Sequence, residues 1–371
     1  MVKKGRGFEL TDRDKLFLVA KAAGLCEFRG CGKALFLGLT DEKLNISQFA
    51  HIIASSPNGP RGSDKSHDVS NKIENVMLLC PEHHKEIDGV ETRDKYNVDC
   101  LLEMKHEHER KVSELSALFK SEKAEVVIFS SPIAGKKVVT LCEDVMKSVY
   151  PPFTSRSDYA RKIEFDLELL DDGKGIDWKS TIRKLKRKVR DDFSGYLESG
   201  TPIGLFALGV CPILIALGSC LGNKAKIEVY PKLHDSNLWR WDQSSRVVDF
   251  FYEKTINGSS KNVVLIINIS AKVDVSKIKE IKDCTVYRIY PIDVEPSIDL
   301  IKNRDSLQNF IRVYYEVQNL ILSENSLEVY LYAAVPNVIA IAIGQHRHTA
   351  HQPMNVMEMV NGVPYKTFCL E

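Results

Sequence analysis

Cys26 and Cys31 stand with four residues between them, Cys80 and His83 with two. Three thiolates and an imidazole close a tetrahedral shell with no open position, which suits a structural zinc rather than a catalytic one. The other cysteines, including Cys211, Cys220 and Cys284 in apolar runs, read as small buried hydrophobes; nine over 371 residues are too few for a disulfide scaffold. A second polar set is threaded through the first: His51, Asn75, His84 and Asp88. His84 and Asp88, four apart, share a face if the segment is helical, and an imidazole beside a carboxylate is a reasonable pair for a hard cation. Asp88 could equally do no more than cap or ion-pair its helix. His83 and His84 could exchange roles, and the Cys-x-x-His spacing favours His83 for zinc.

These residues need strands and a helix to hold them. The apolar run Val76-Met-Leu-Leu before Cys80 predicts a short strand, and Pro81 with the charges after it predicts a turn into a helix. Upstream, Gln48-Phe-Ala-His51-Ile-Ile is an apolar segment carrying one histidine, followed by the polar loop 54–67. A helix is expected from Thr11 to Gly24, and a long charged one from Asp94 to about Lys120, with His106 and His108 solvated on it. So short a region has little apolar material to bury, so the metal should substitute for part of a core.

The order His51, Asn75, His84 over a zinc knuckle resembles the HNH endonucleases, across about the first 110 residues. The resemblance implies two strands and a helix around one divalent metal, with Mg2+ expected. It implies His51 as the general base that deprotonates the attacking water, an apt role for an imidazole titrating near neutrality. It also implies that Asn75 holds the strand-to-helix loop and orients His51, and that His84 binds the catalytic metal. Many members carry an acid immediately before the first histidine; here that position is Ala50, which leaves a metal position unfilled, with Asp88 the candidate for it.

From the polar break at 120–125 the pattern changes to short apolar strands alternating with helices, and the order repeats. Residues 1–120 are expected to form one domain and 121–371 another, the latter built of two tandem Rossmann-like halves at about 121–255 and 256–371. The best-matched pieces are Leu205–Leu217 and Val329–Ile341, which both place a proline in the first turn after a strand. Ligands of open parallel sheets lie beyond the strand carboxyl ends, where helix starts offer N–H groups to anions. The expected ligand-binding residues are Ser130 and Ser270 at strand ends, Lys272 beside the latter, and Trp239-Arg240-Trp241, which reads equally as two rings to stack bases around a cation for phosphate and as ordinary core packing with a surface arginine. Neither half has a Gly-x-Gly-x-x-Gly run or a Walker lysine. The helix from Trp178 is strongly basic and reads as a solvated face, or as a contact to DNA phosphates or a neighbouring subunit.

The whole chain resembles an HNH nuclease fused to a SAVED domain, the effector type of bacterial CBASS antiphage systems. The second resemblance rests on the tandem halves, on Val329-Tyr-Leu-Tyr-Ala-Ala-Val-Pro, and on Ala340-Ile-Ala-Ile-Gly344. It implies an α/β protein in which a zinc-stapled ββα-metal nuclease precedes two CARF-like halves. It further implies that a cyclic dinucleotide from a partner nucleotidyltransferase binds the SAVED domain, drives homo-oligomerisation and switches on degradation of double-stranded DNA. The rival classes are a modification-dependent restriction enzyme and a non-catalytic zinc regulator that binds nucleic acid. Composition fits a globular chain, at 44% hydrophobic, 27% charged and formal net charge +1. The charged stretch 1–8 has no apolar core behind it to make a signal peptide, and no run approaches the ~20 apolar residues of a membrane span, so a cytoplasmic, membrane-free protein is expected.

Overall fold

In the computed structural model, residues 9–37, 44–150, 152–170, 175–236, 238–360 and 362–371 are described. The amino-terminal stretch 1–8 and Asn237 lie outside them. The contacts fall into two units, Met1–Lys120 and Ser121–Glu371.

In the first unit, α1 (Asp12–Lys21) is capped by Thr11, whose hydroxyl accepts from Asp14 N at 3.2 Å. Two short pairs follow: β1 (Phe36–Leu37) with β2 (Leu44–Asn45), and β3 (Gln48–His51) with β4 (Val76–Leu79), the latter antiparallel with His51 opposite Val76. Between β3 and β4 lie a folded loop, α2 (Ser66–Val69) and a 3-10 turn ending at Asn75. Every residue of β4 is buried, and around it gather Leu18, Leu35, Ile87 and Leu101. Cys80 then breaks the strand, Pro81 opens α3 (Pro81–Asp88), and α4 (Val98–Leu118) closes the unit. The long helix begins later than expected. Its start is set by Asn97, whose side chain accepts from Cys100 N at 2.8 Å, and the Arg93–Lys95 segment before it is a 3-10 turn. His108 is not simply solvated, since its Nε2 donates to the Ala22 carbonyl at the end of α1.

The second unit holds two sheets. The first half contributes β5 (Glu122–Ser130), α5 (Cys142–Ser148), β6 (Phe153–Ser155), β7 (Arg161–Glu164), α6 (Trp178–Ser199), β8 (Ile203–Leu208), α7 (Cys211–Leu221) and β9 (Ile227–Val229). Its strands pair in the order β6-β5-β8-β9, with β7 also on β5, all parallel. The second sheet runs β10-β12-β11-β13-β14-β15. Its members are β10 (Phe250–Ile256), β11 (Val263–Asn268), β12 (Thr285–Pro291), β13 (Val329–Ala334), β14 (Met354–Val360) and β15 (Val363–Leu370). α8 (Arg304–Ser323) and α9 (Asn337–Gln345) flank β13 in sequence. The inner strands are parallel, and β10 and β15 are antiparallel edges. Phe250–Ile256 therefore belongs to the second half, not the first. Between β11 and β12 the chain forms two 3-10 turns, Val275–Lys277 and Lys279–Lys282, a segment too short to offset the cost of nucleating an α-helix. Among the described residues no helix is long and apolar enough to cross a membrane.

α7 and α9 pack against each other through glycine. A Cβ on Gly218 would lie 2.1 Å from the Ile341 carbonyl oxygen, and one on Gly344 would lie 2.0 Å from that of Ile215. Each glycine is the eighth residue of its helix and each isoleucine the fifth, so the contact is reciprocal. The helix starts repeat this symmetry. Cys211 Sγ faces the Ala333 carbonyl at 3.8 Å, while Asn337 Nδ2 donates to those of Ala207 at 3.1 Å and Tyr230 at 3.0 Å. In this register the prolines do not correspond: Pro212 lies inside α7, whereas Pro336 is the N-cap of α9.

Candidate functional site

Glu27 joins the two halves of the Cys/His cluster. Its backbone N–H donates to Leu78 O at 2.9 Å and its carboxylate accepts from Leu78 N at 2.5 Å, which places Cys26 beside Cys80. Burial raises the Glu27 carboxyl to about 7 against the pull of the buried Lys105, 3.7 Å away, which also binds Glu109 at 2.6 Å. The ligand atoms of Cys26, Cys31, Cys80 and His83 lie within 4.8 Å of one another. His83 Nδ1 is 3.1 Å from Cys80 Sγ and 3.7 Å from Cys26 Sγ, and Phe28 stacks on the His83 ring at 4.0 Å. Tetrahedral Zn–S and Zn–N bonds of ~2.3 and ~2.0 Å require donors roughly 3.5 Å apart, so this donor set fits zinc. Burial pushes the Cys26 thiol up to about 12, so a thiolate there needs a cation to hold it.

His84 is the next residue of α3, turned ~100° from His83 by the helix. Its Nε2 lies 3.5 Å from Asp88 Oδ2, one turn on. Burial raises the Asp88 carboxyl, but bonds from His84 and Arg61 more than reverse this and hold it below its ordinary range. Two adjacent ligands of an octahedral ion at ~2.1 Å stand about 3 Å apart, so His84 and Asp88 fit one hard cation. His51, at the end of β3, places Nε2 3.0 Å from Ser70 O. A carbonyl can only accept, so Nε2 carries the proton and the neutral ring keeps its lone pair on Nδ1. Asn75 grips the backbone of Ile53 at both ends, accepting from its N–H at 2.8 Å and donating to its carbonyl at 2.9 Å. His51, His84 and Asp88 line one cavity of about 520 Å³ with Glu9, Lys15 and Ser55. Ala50 is buried in the core, away from that cavity. Glu9, Lys15 and Arg61 went unnoticed in the sequence, where nothing marks their approach.

In the second unit, Ser130 and Ser131 line a cavity of about 120 Å³ with Lys137, Lys162 and Glu164. The Ser131 and Ser270 hydroxyls are buried without a hydrogen-bond partner among the described residues. Lys272 is paired with Glu295 at 2.7 Å and borders another cavity, of about 410 Å³, with Tyr332 and Glu358. The two readings of the tryptophan segment part here, in favour of core packing. Trp239 is 1% exposed, edge-on to Phe206, and Trp241 is 7% exposed beneath the Arg304 guanidinium. Burial alternates along the segment, and Arg240 is left exposed between two core rings. Neither ring face is free to stack a base.

Residues 185–369 match the family described as "SMODS-associated and fused to various effectors sensor domain", abbreviated SAVED. These residues form a SAVED domain. α7 and α9, with their reciprocal starts, lie inside it. Among solved structures, the chain is similar to the Acinetobacter baumannii Cap4 SAVED/CARF-domain containing receptor with the cyclic trinucleotide 2'3'3'-cAAA, at 15% identity and a TM-score of 0.44, covering 82% of this chain and 66% of that one. The same receptor with 3'3'3'-cAAA gives 13% identity and a TM-score of 0.41, covering 73% and 61%. The Moraxella osloensis Cap4 receptor gives 11% and 0.39, covering 78% and 59%. The chain thus spans about three fifths to two thirds of the length of these receptors. No curated protein matches it.

Proposed function

We propose that this chain is an antiphage effector of the CBASS type, in which the SAVED domain senses a cyclic oligonucleotide and the first unit is an HNH nuclease that cuts double-stranded DNA. The observation that carries the nuclease reading is the shared cavity of His51, His84 and Asp88, with the lone pair of His51 on Nδ1. His51 Nδ1 accepts the proton of the attacking water, and the Ser70 carbonyl steadies the resulting imidazolium through Nε2–H. Asn75 keeps Ile53, two residues after His51, pinned and so fixes where that ring points. Mg2+ held by His84 and Asp88 would supply positive charge for the phosphorane and the leaving oxygen. Cys26, Cys31, Cys80 and His83 would hold zinc, which would keep β4 and α3 in register. A structural ion and a hydrolytic ion would thus have separate ligands, with the adjacent His83 and His84 assigned one to each.

The activating ligand we propose is a cyclic dinucleotide made by a partner nucleotidyltransferase. The reciprocal starts of α7 and α9 support this reading, because they offer a nearly twofold ligand two similar sets of helix N–H groups. Binding favours a homo-oligomer in which the nuclease is competent, since a ligand shifts an equilibrium only by binding one state better. The decisive experiment follows plasmid cleavage by the full chain with Mg2+ and a panel of cyclic di- and trinucleotides, with assembly read by light scattering. Cleavage should require one ligand of the panel, and His51→Ala should abolish it while leaving ligand-driven assembly intact. Equal cleavage with and without every ligand would refute the sensor reading, and an active His51→Ala would refute the base.

A further inference from the structure

The loop between β3 and α2 is folded to carry one side chain inward. Arg61 has φ +56°, a left-handed conformation that costs an arginine and not a glycine. Around it the chain is too tight for ordinary side chains: a Cβ on Gly59 would lie 2.5 Å from Ala54 Cβ, and one on Gly62 2.3 Å from Pro57 O. Despite the loop setting, the Arg61 side chain is 8% exposed. Its guanidinium spends its donors on four acceptors. Nε donates to Ile52 O at 2.6 Å and Nη1 to Ile87 O at 2.7 Å, while Nη2 donates to Asp88 Oδ1 at 2.6 Å and to His51 O at 3.3 Å. Two of these acceptors are at or beside the end of β3, and the other two close the last turn of α3, where helix carbonyls lack partners.

We infer that Arg61 is a positioning residue of the proposed nuclease site, fixing one oxygen of Asp88 and presenting the other beside His84. The inference rests on the nuclease reading above. Arg61 ties the end of the strand that carries His51 to the end of the helix that carries His84, so it also fixes the separation of those two rings. With Oδ1 engaged by Nη2, the carboxylate cannot rotate, and Oδ2 remains facing His84 Nε2 at 3.5 Å. A planar fork with several donors is required for this, which a lysine cannot reproduce. The position left acid-free by Ala50 is thereby answered by a carboxylate on α3 whose geometry is imposed from the loop.

The test uses the full chain with Mn2+ as the probe, its binding read by electron paramagnetic resonance without DNA. Zinc content and the urea midpoint serve as folding controls. Arg61→Lys and Arg61→Gln should each weaken Mn2+ binding ten- to a hundredfold, the usual loss when a partner that orients a ligand is removed. If Arg61 acts through its charge only, Arg61→Lys will bind as wild type and Arg61→Gln more tightly, which overturns the inference. Should either Arg61 variant lose its zinc, Asp88→Asn keeps the arginine and decides the matter: wild-type Mn2+ affinity in that variant removes Asp88 as the group being positioned. The nuclease reading fails separately, through an active His51→Ala, whatever the Arg61 variants do.

Discussion

Replacing Gly218 by alanine adds one methyl group at the crossing of α7 and α9. That Cβ would lie 2.1 Å from Ile341 O and 2.9 Å from Ile341 C, whereas ordinary contact begins near 3.4 Å, so the helices must part by about 1.3 Å. The obstacle is backbone within a buried helix and has no rotamer to move aside. Displacements of ~0.5–1 Å already forfeit a quarter to a half of each dispersion well, and overpacking of a core costs roughly 1–3 kcal/mol. The upper end applies here, because both helices are buried along nearly their whole length. Against this, alanine gains about 1 kcal/mol of helix propensity over glycine. The net expectation is a loss of about 2 kcal/mol for Gly218→Ala, and a similar loss for Gly344→Ala by the reciprocal geometry. The double variant should cost less than the two together, since helices parted for one methyl already admit the other. All three tryptophans, Trp178, Trp239 and Trp241, lie in the second unit, so urea unfolding followed by tryptophan fluorescence reads that unit. A midpoint raised by alanine, as propensity would dictate with no clash, would show the close crossing to be wrong.

Other outcomes follow from separate features. Chelation of zinc should abolish cooperative unfolding of the first unit, seen in amide exchange of β4 and α3, and leave the tryptophan transition of the second in place. Arg304→Ala should cost the second unit about 2–3 kcal/mol in urea unfolding. It strips Glu228 of a partner 2.6 Å away, and the figure falls below the ~3–5 kcal/mol of a fully buried pair because these side chains are 28% and 20% exposed. Burial raises the Asp192 carboxyl, but Lys188 and Arg161 more than reverse this and hold it below its ordinary range. A depressed carboxyl stabilises above its unfolded value and loses that contribution as pH falls through the folded one. The tryptophan-monitored stability of wild type should therefore drop below about pH 4, and Asp192→Asn should have a flatter acid limb.

What the chain discloses before folding depends on whether neighbours in sequence do the work. The turn from β4 into α3 is written locally, as an apolar run stopped by Cys80-Pro81, and the placing of His83 and His84 on different sides of α3 follows from one step of a helix. Asn361-Gly362 is a strong hairpin signal before the edge strand β15. Alternation along the segment would have sent Trp239 and Trp241 inward together, but the core that receives them is set by Phe206 and Arg304, far away in sequence. Arg61 was illegible for a related reason. An arginine between a proline and a glycine reads as solvent-facing, and no local rule reports that the loop folds back on itself. The matched prolines misled in a subtler way: they suggested a repeat register two residues away from the one the glycines enforce.

The glycine seats have a mechanical meaning. Side chains between two helices form a compliant layer that can repack when one element slides over another. Here the methylene of each glycine rests on a carbonyl of the other helix, and the first residue of each helix reaches a strand end of the other half. A hinge opening along this seam would have to vacate both seats and break the reciprocal contacts at once. The two sheets therefore move as a single block, and a ligand lodged across the helix starts would act by changing what the outer faces of that block offer to a second copy, with the seam itself left closed.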